Sequence, residues 1–331
     1  MNGIPNTSTR RSMPRSLVAA ACLLAAGALG ACASDGTDPA KGAATTPIQR
    51  GDMVIVSLDR SKPKTYGEAA VVPGADPRAT RRLMALKCSR VAYAGSTGIC
   101  LAEKLPAKPV PAFQATFFDA QQHVTGSVDI PGDPSRARVS AGGRYAAATT
   151  FVSGDSYAPE SKFTTRTFIF DPQHARIIAN LEDFTITKDG RRIQDRDFNF
   201  WGVTFDGDSG RFYATLATGT HHFLVKGDIA TQRASVVRDG VECPSLSPDG
   251  SKIAYKARVG KPWQWRFHVL DVKTGKVTAL PEERSVDDQI EWLDERRLVY
   301  DRDEEVMQVA ADGKTAPRQF LPAANSPGLV R

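Results

Sequence analysis

The chain has few residues of the kinds that metal centres and nucleophilic enzymes use. Its 331 residues include five cysteines and five histidines, and no two cysteines have the spacing of a zinc site. It also lacks a Gly-x-Ser-x-Gly segment, which would carry the nucleophile of an appended α/β-hydrolase domain. The apolar run from Leu17 to Leu29 falls short of the roughly 20 residues that a membrane-spanning helix needs. We therefore assign no catalytic residue, and we expect neither a metal ion nor a cofactor.

The first 31 residues have the composition of an export signal. Arg10, Arg11 and Arg15 precede the apolar run, which ends in Leu29-Gly30-Ala31-Cys32. The small residues before Cys32 resemble a bacterial lipobox. That resemblance implies that Cys32 is acylated, for instance with palmitate, and becomes the first residue of an exported lipoprotein. Cleavage after an Ala-x-Ala-like site, with Cys32 incidental, is the alternative, and the arginine pair leaves the Sec and twin-arginine routes open.

Much of the net positive charge belongs to this signal. Removal of residues 1–31 takes away three arginines and no acidic residue, so the formal net charge falls from +6 to +3. A strongly cationic surface for nucleic acid is therefore not predicted. Residues 32–50 are mostly small and polar, which is typical of a flexible tether. Residues 51–331 remain, and their number suits a single large domain.

A hairpin pattern recurs along this domain, with an apolar strand, a Gly/Asp turn and a second strand rich in β-branched and aromatic residues. Its four readable copies are 138–145, 202–213, 245–255 and 290–300. If Val139, Val203, Leu246 and Ile290 are equivalent, the spacings are 64, 43 and 44 residues. The last two match the roughly 40 to 45 residues of a four-stranded propeller blade, and the first indicates an insertion of about 20 residues.

A second hairpin follows each first one and would complete a blade. The clearest example is Phe267–Val272 with Val277–Pro281. Ser247-Pro248-Asp249-Gly250-Ser251-Lys252-Ile253-Ala254-Tyr255, followed by Leu270-Asp271-Val272-Lys273-Thr274-Gly275-Lys276, resembles the repeat of TolB-like β-propellers. The match is specific over Glu242 to Pro281 and poor before about residue 130.

The blade count depends on the N-terminal part. Arg90–Ala94 and Phe113–Phe118 suggest one more, irregular blade, and Met53–Leu58 with Ala69–Val72 suggests a hairpin that completes or seals a blade. We predict an all-β fold, a propeller of four-stranded antiparallel blades, with six blades favoured over five.

Apart from Cys32, the exported chain has Cys88, Cys100 and Cys243. One disulfide and one free thiol is the simplest account for an exported protein, and we predict a bridge between Cys88 and Cys100. A tight turn at 95–98 would place Cys100 opposite Tyr93 and out of reach of Cys88. The bridge therefore requires a wider loop or a bulge.

Two segments invite a catalytic or metal-binding interpretation. Gly207-Asp208-Ser209-Gly210 resembles the nucleophile motif of trypsin-like serine proteases, but it occupies the turn position that Pro248-Asp249-Gly250 fills in the next copy. No upstream segment of the Ala-Ala-His-Cys type supplies a base. His221-His222 is predicted to lie in a loop, where the sequence places no further ligand beside it. We interpret both as structural.

Propeller topology sorts the loops onto two faces, because strands alternate in direction within a blade. The turns between first and second strands, and between third and fourth, are short here, and we call their side the short-turn face. The remaining loops carry the insertions and define the loop-rich face. These insertions are Ser153–Thr165, Glu182–Asn199, Gly260–Trp265 and Glu282–Asp288. Functional side chains concentrate on such loops, so we predict that the loop-rich face binds the partner.

Two tryptophans and a set of carboxylates are the candidates on that face. Trp263 and Trp265 follow a Gly-Lys-Pro turn, and aromatic residues are enriched in interfaces. Trp265 could instead start a strand and pack between blades. Seven acidic residues could form a rim for a basic partner or a cation, or could simply be solvated. They are Glu282, Glu283, Asp287, Asp288, Asp303, Glu304 and Glu305.

Residues at the start of the innermost strands would line the central channel. The candidates are Phe198, Phe200, Glu242, Gln289 and Glu291. We favour a membrane-anchored, non-enzymatic, monomeric propeller that binds an envelope protein or peptide and faces the extracytoplasmic side or the periplasm. The alternative is a small-ligand or carbohydrate-binding propeller, with a lyase or hydrolase site in the channel.

Overall fold

The regular structure of the chain is almost entirely β. It is given by a computed structural model that describes residues 46–104, 112–152, 164–195, 197–260 and 264–331. In these ranges the only helical elements are two 3-10 turns, Pro172–His174 and Leu181–Asp183. No helix within the same ranges has the length and apolar character that a bilayer crossing requires.

Six sheets follow one another along the described residues, and we number them as blades 1 to 6. Blade 1 begins with β1 (Asp52–Ser57), β2 (Glu68–Pro73) and β3 (Arg82–Lys87). Blade 2 contains β4 (Arg90–Ala94), β5 (Thr97–Glu103), β6 (Phe113–Phe118) and β7 (Val124–Ile130). Blade 3 contains β8 (Asp133–Val139), β9 (Ala146–Val152), β10 (Thr164–Asp171) and β11 (Arg176–Asn180).

Blade 4 is wider than the others. A hairpin of β12 (Thr185–Lys188) and β13 (Arg191–Arg192) precedes its own strands β14 (Asn199–Phe205), β15 (Arg211–Thr218), β16 (His221–Asp228) and β17 (Arg233–Asp239). Strand β12 pairs in parallel with β17. The insertion predicted between the first two copies therefore extends the outer edge of this blade.

The last two blades have four strands each. Blade 5 contains β18 (Glu242–Leu246), β19 (Lys252–Arg258), β20 (Trp265–Asp271) and β21 (Val277–Ala279). Blade 6 contains β22 (Glu291–Trp292), β23 (Arg297–Arg302), β24 (Glu305–Ala310) and β25 (Arg318–Leu321).

The ring closes through a strand that the sequence pattern did not predict. The last strand, β26 (Ala324–Leu329), pairs with β1 and becomes the innermost strand of blade 1. The predicted propeller with six blades is confirmed, and so is the role of the N-terminal hairpin in completing a blade. Blade 2, which we expected to be irregular, is a regular four-stranded sheet.

The hydrophobic core is divided into six clusters that lie between neighbouring blades. Between blades 3 and 4, for example, Ile169 packs in one cluster with Phe200 and Phe212. Between blades 5 and 6, Phe267 packs with Trp292 and Tyr300 in another. The middle strands are covered on both sides by this packing, which explains why they read as nearly continuous apolar runs.

The recurring serine of the repeat has a structural role in the turns. The amide of Ser247 donates to the carbonyl of Lys252 (2.8 Å), and the amide of Lys252 donates to Ser247 Oγ (2.9 Å). Ser140 and Tyr145 make the same pair of bonds, both at 2.9 Å, in blade 3. The serine thus closes the turn between the first two strands of a blade from both sides.

Cys88 and Cys100 form a disulfide, with their Cα atoms 5.4 Å apart. The register expected from the tight turn was wrong, because Cys100 lies opposite Val91 and Tyr93 lies opposite Gly98. Cys88 lies in the connection between β3 and β4, and its amide donates to the carbonyl of Gly67 in blade 1. That irregular connection brings the two sulfur atoms together.

Inner strands of adjacent blades approach each other closely at Gly202. Its φ of +66° lies in the left-handed region, and a Cβ at this position would lie 2.6 Å from the Cα of Cys243. Both residues sit where the ladder of their inner strand shifts register. Only glycine meets both conditions.

Gly202→Ala is expected to lower the free energy of unfolding by more than about 2 kcal/mol, because backbone strain and a backbone clash add. Gly240→Ala is the matched control, since Gly240 has φ +73° and no atom within 4 Å of an added Cβ. Strain alone should cost that variant about 1 kcal/mol. Urea unfolding measures both, and equal losses would mean that the close approach imposes no constraint.

Candidate binding site at the mouth of the channel

The inner strands surround a central channel whose walls alternate between charged and small apolar side chains. A cavity of about 80 Å³ lies there between blades 1, 2, 3 and 6. Its charged lining comes from Arg90, Arg136, Arg138, Asp288, Glu291 and Arg331. The channel is therefore not filled by a uniform apolar plug, and it is compatible with a polar ligand.

Ion pairs and carbonyl contacts hold these arginines in place. Arg138 pairs with Glu291, and Arg331 Nη2 lies 3.5 Å from the same carboxylate. Arg136 Nη2 lies 3.0 Å from Asp287 Oδ1, and Arg90 Nε donates to the carbonyl of Ser135 at 2.7 Å. Blades 2 and 3 and the segment before blade 6 are thus linked across the axis.

A second cavity, of about 50 Å³, opens at the loop-rich end and shares Arg136 with the first. We call it the mouth cavity. Its aromatic walls are Phe151, Trp201 and Trp265, from blades 3, 4 and 5. On this face, the first strand of each blade begins, the second strand ends and the third strand begins. Residues from the first, second and third strands therefore meet at the mouth cavity.

Lys256 supplies a buried positive charge to the mouth cavity. It is 2% exposed, and its Nζ lies 4.3 Å from the centroid of a Trp265 ring and pairs with Asp287. Burial raises the pKa of Asp287, but Lys256 and Arg136 outweigh burial and leave that pKa below its usual value. The carboxylate is therefore ionised at neutral pH and compensates the lysine.

A second charged group closes the other side of the mouth cavity. Arg258 Nε donates to the buried Glu242 at 2.7 Å, and Arg258 Nη2 lies 3.0 Å from His222 Nε2. The His222 ring meets Trp201 edge to face at 5.7 Å. Burial lowers the pKa of His222, so the imidazole is neutral at pH 7. Aromatic surface and a fixed hydrogen-bonding edge thus lie side by side.

The two tryptophan candidates have different outcomes. Trp265 begins β20, is 6% exposed, and accepts Lys256 on its ring, while its backbone amide donates to Ser285 Oγ at 3.1 Å. It forms a wall of the mouth cavity and also packs within the fold. Trp263 lies outside the described residues, as does most of the insertion 153–165.

Most of the seven carboxylates proposed as a rim are engaged within the chain. Glu282 is buried and accepts bonds from Tyr300 Oη (2.5 Å) and Arg302 Nη1 (2.7 Å). Asp287 pairs as described above, and the others with partners are Asp288 with the amide of Asp301, Asp303 with Arg284, Glu304 with Arg60, and Glu305 with Gln319. Glu283 is exposed. Six of the seven carboxylates therefore have a partner within the chain, which reduces the negative charge that the predicted rim would offer to a basic partner.

The channel candidates separate into two groups. Glu291 lines the channel and Glu242 the mouth cavity, while Gln289 Nε2 donates to the carbonyls of Val203 and Pro244, each at 3.0 Å. Gln289 thereby ties the segment before blade 6 to the inner strands of blades 4 and 5.

The prediction for the two phenylalanines was wrong. Phe200 is fully buried in the cluster between blades 3 and 4, and Phe198 packs against that cluster. Inner-strand side chains alternate between the axis and the space between blades, and Phe200 takes the second position. Its amide donates to Glu182 Oε1 at 3.2 Å.

Sequence reasoning missed the basic residues of the site. Arg90, Arg138 and Lys256 sit directly next to the apolar residues that identified the strands, and the only available signal was a charge inside a strand pattern. Such a charge indicates the channel or its mouth only after the blade order is known.

The segment 207–210 is a turn, as interpreted. Ser209 Oγ donates to the carbonyl of Asp206 (2.7 Å), and Asp208 Oδ1 accepts from Ser140 Oγ (2.5 Å) across the junction of blades 3 and 4. In the described part of the chain, no cluster of three or more His, Cys, Asp and Glu side chains is arranged to hold a metal ion.

Comparisons with known proteins give a likeness at the level of the fold. No protein-family model and no curated protein sequence matches the chain. The crystal structure of TolB from Acinetobacter baumannii superposes with a TM-score of 0.57 and 15% identity, over 85% of this chain and 67% of that one. A putative TolB from Agrobacterium tumefaciens gives 0.49 and 10% identity, over 85% and 92%. An oligogalacturonate lyase in complex with manganese gives 0.45 and 9% identity, over 77% and 72%. The chain has a TolB-like propeller fold.

Asp301, near the end of β23, carries a pH-dependent charge close to Asp288 and Arg90, which line the channel. Burial first, and then Asp288, raise the pKa of Asp301 to about 7, although Arg90 opposes the shift. Since the unfolded group titrates near 4, folding takes up a proton between about pH 4 and 7. The resulting stabilisation is complete below about pH 4 and is lost as the pH rises through 7.

Asp301→Asn should remove this dependence. Between pH 4.5 and 8, the free energy of unfolding of the wild type should fall by on the order of 2 kcal/mol more than that of the variant. The effect is no larger because Asp301 is partly exposed to solvent. Chemical unfolding at several pH values tests it. Asp294→Asn is the control, and its effect on the pH dependence of stability should have the opposite sign. Burial raises the pKa of Asp294, but the turn amides and Arg297 outweigh burial and leave that pKa low. Parallel profiles of wild type and Asp301→Asn would contradict the assignment.

Proposed function

We propose that this protein is an exported, lipid-anchored, non-enzymatic propeller that binds an envelope protein or peptide through its loop-rich face. The observation that carries the proposal is the mouth cavity, where Phe151, Trp201 and Trp265 surround paired charges at the opening of the channel. Aromatic residues and arginine dominate the energetic centres of protein interfaces. The cavity therefore offers an anchor pocket for one small side chain of a partner.

The charges around the cavity support selective binding. Lys256 and Arg258 have carboxylate partners in the chain, so the unbound site holds paired charges. Fixed and paired charges position a ligand and reject the wrong one without a large cost of reorganisation. The extracytoplasmic location follows from the N-terminal signal, and the TolB-like fold supports it.

Site-specific photocrosslinking in the native host tests the binding face. A photoreactive phenylalanine analogue at Phe151, which is 41% exposed, should give a specific protein adduct by mass spectrometry. The same analogue at Lys273, exposed in the short turn between β20 and β21, is the control and should give none. An adduct at Lys273 with none at Phe151 would place the interface on the opposite face and overturn the proposal.

The lipid anchor is tested separately by metabolic labelling with an alkyne analogue of palmitate. Wild type should carry the label and sediment with membranes, and Cys32→Ser should lose both properties, because the acylated thiol is gone. Cys22→Ser is the matched control, since Cys22 lies within the signal that the peptidase removes. A label that persists in Cys32→Ser would show that Cys32 is not the anchor.

A small-ligand propeller is the second candidate, and the charged lining of the channel favours it. An acidic metabolite or an acidic sugar would find arginines inside the channel and tryptophans at its mouth. The absence of any adduct at Phe151, together with saturable binding of a small acid, would favour this function over partner binding.

A further inference from the structure

The channel holds more positive than negative charge. Four arginines line its cavity, Arg90, Arg136, Arg138 and Arg331, against two carboxylates, Asp288 and Glu291. Adding the pair of Lys256 and Asp287 leaves the surplus unchanged. Asp301 lies near Arg90, but its raised pKa of about 7 leaves it only partly ionised at neutral pH. Among these groups the folded chain therefore carries more positive than negative charge, although Asp294 and Glu295 lie close enough to Arg331 to favour its charged form.

The arginines also keep unused hydrogen-bonding capacity. Nε of Arg136 and Nε of Arg138 are buried, and neither makes a geometrically good hydrogen bond among the described residues, although the Cys243 thiol lies beside Arg136. Buried donors are nearly always paired in folded proteins. Two such donors in neighbouring arginines of β8 can therefore donate to a water molecule or a ligand atom from outside the chain.

The cost of this arrangement is visible in the titration of the arginines. Burial and then the charge of Arg331 lower the pKa of Arg138 to about 10. Burial and then Arg136 lower the pKa of Arg90. Guanidinium groups normally stay charged under almost all conditions, so both shifts reflect chiefly the burial of the cluster. Arg136 differs, because burial lowers its pKa but Cys243, Asp287 and Asp288 outweigh burial and raise it.

We propose that the central channel is an oxyanion site, in which Arg138 and Arg331, with Arg90 and Arg136 nearby, bind a carboxylate or a phosphate. The planar guanidinium fork matches both groups. The cavity of about 80 Å³ admits a group of that size but no folded element. This site goes beyond the proposed partner, because an acidic side chain of a bound peptide and a free small acid present the same chemistry.

Isothermal titration of the purified full-length protein tests the site, in a chloride buffer of constant ionic strength. The probes are inorganic phosphate and N-acetylglutamate, with neutral N-acetylglutamine amide as the control ligand. We expect saturable binding of at least one anionic probe and none of the amide. Tighter binding of N-acetylglutamate would indicate a carboxylate source, and tighter binding of phosphate a phosphorylated one.

Variants locate the binding in the channel. Arg331→Gln and Arg138→Gln should each weaken binding by about tenfold or more, because each removes a charged fork. Arg331 is partly exposed and its variant should fold even if Arg138→Gln, which leaves Glu291 without its main partner, does not. Arg144→Gln, on the short-turn face, should bind as wild type. Absence of saturable binding to wild type, or undiminished binding to Arg331→Gln, would overturn the proposal. Loss of binding in both channel variants with a retained crosslink at Phe151 would confirm the oxyanion site independently of the partner.

Discussion

Packing between neighbouring blades is the constraint on which the rest of this structure depends. Each of the six apolar clusters joins two adjacent sheets, so no blade has a complete core of its own. The ring must therefore close, and β26 closes it by pairing with β1. Closure also fixes the inner strands at distances so short that only glycine fits at position 202 opposite Cys243.

Closure brings together charges that lie far apart in the sequence. Arg90, Arg138, Glu291 and Arg331 come from four blades, and they meet only because the inner strands line one axis. A structure held by apolar packing between blades can tolerate such a polar channel, because the channel contributes little to the core. The unfavourable free energy of burying these charges thus arises in the channel, apart from the apolar clusters that stabilise the fold. This arrangement suits a rigid scaffold with a charged centre and an aromatic mouth.

The sequence predicted the parts of the fold that repeat. The hairpin pattern and the spacings of 43 and 44 residues identified blades 4 to 6, and the longer spacing located the insertion that becomes β12 and β13. The strand β26 escaped because its sequence, Ala-Asn-Ser-Pro-Gly-Leu, has no alternation of apolar residues. An inner strand has a neighbour on one side only, so it tolerates a proline that a central strand would not.

The candidate site was predicted less well than the fold, for a physical reason. The loop-rich face and Glu242, Glu291 and Trp265 follow from strand direction and order, which a repeat reveals. Whether an inner-strand side chain faces the axis or the neighbouring blade depends on the bulges at Gly202 and Cys243, and those are set by contacts between blades. Phe200 was misplaced and the arginines were missed because no local pattern encodes that contact.

The most direct measurement is a crystal structure of the protein grown with selenate, whose selenium gives an anomalous signal that marks a tetrahedral oxyanion. We expect an anomalous peak inside the channel, within hydrogen-bonding distance of the guanidinium groups of Arg138 and Arg331. A channel that is closed by its own side chains, with selenate bound only at the surface, would contradict it.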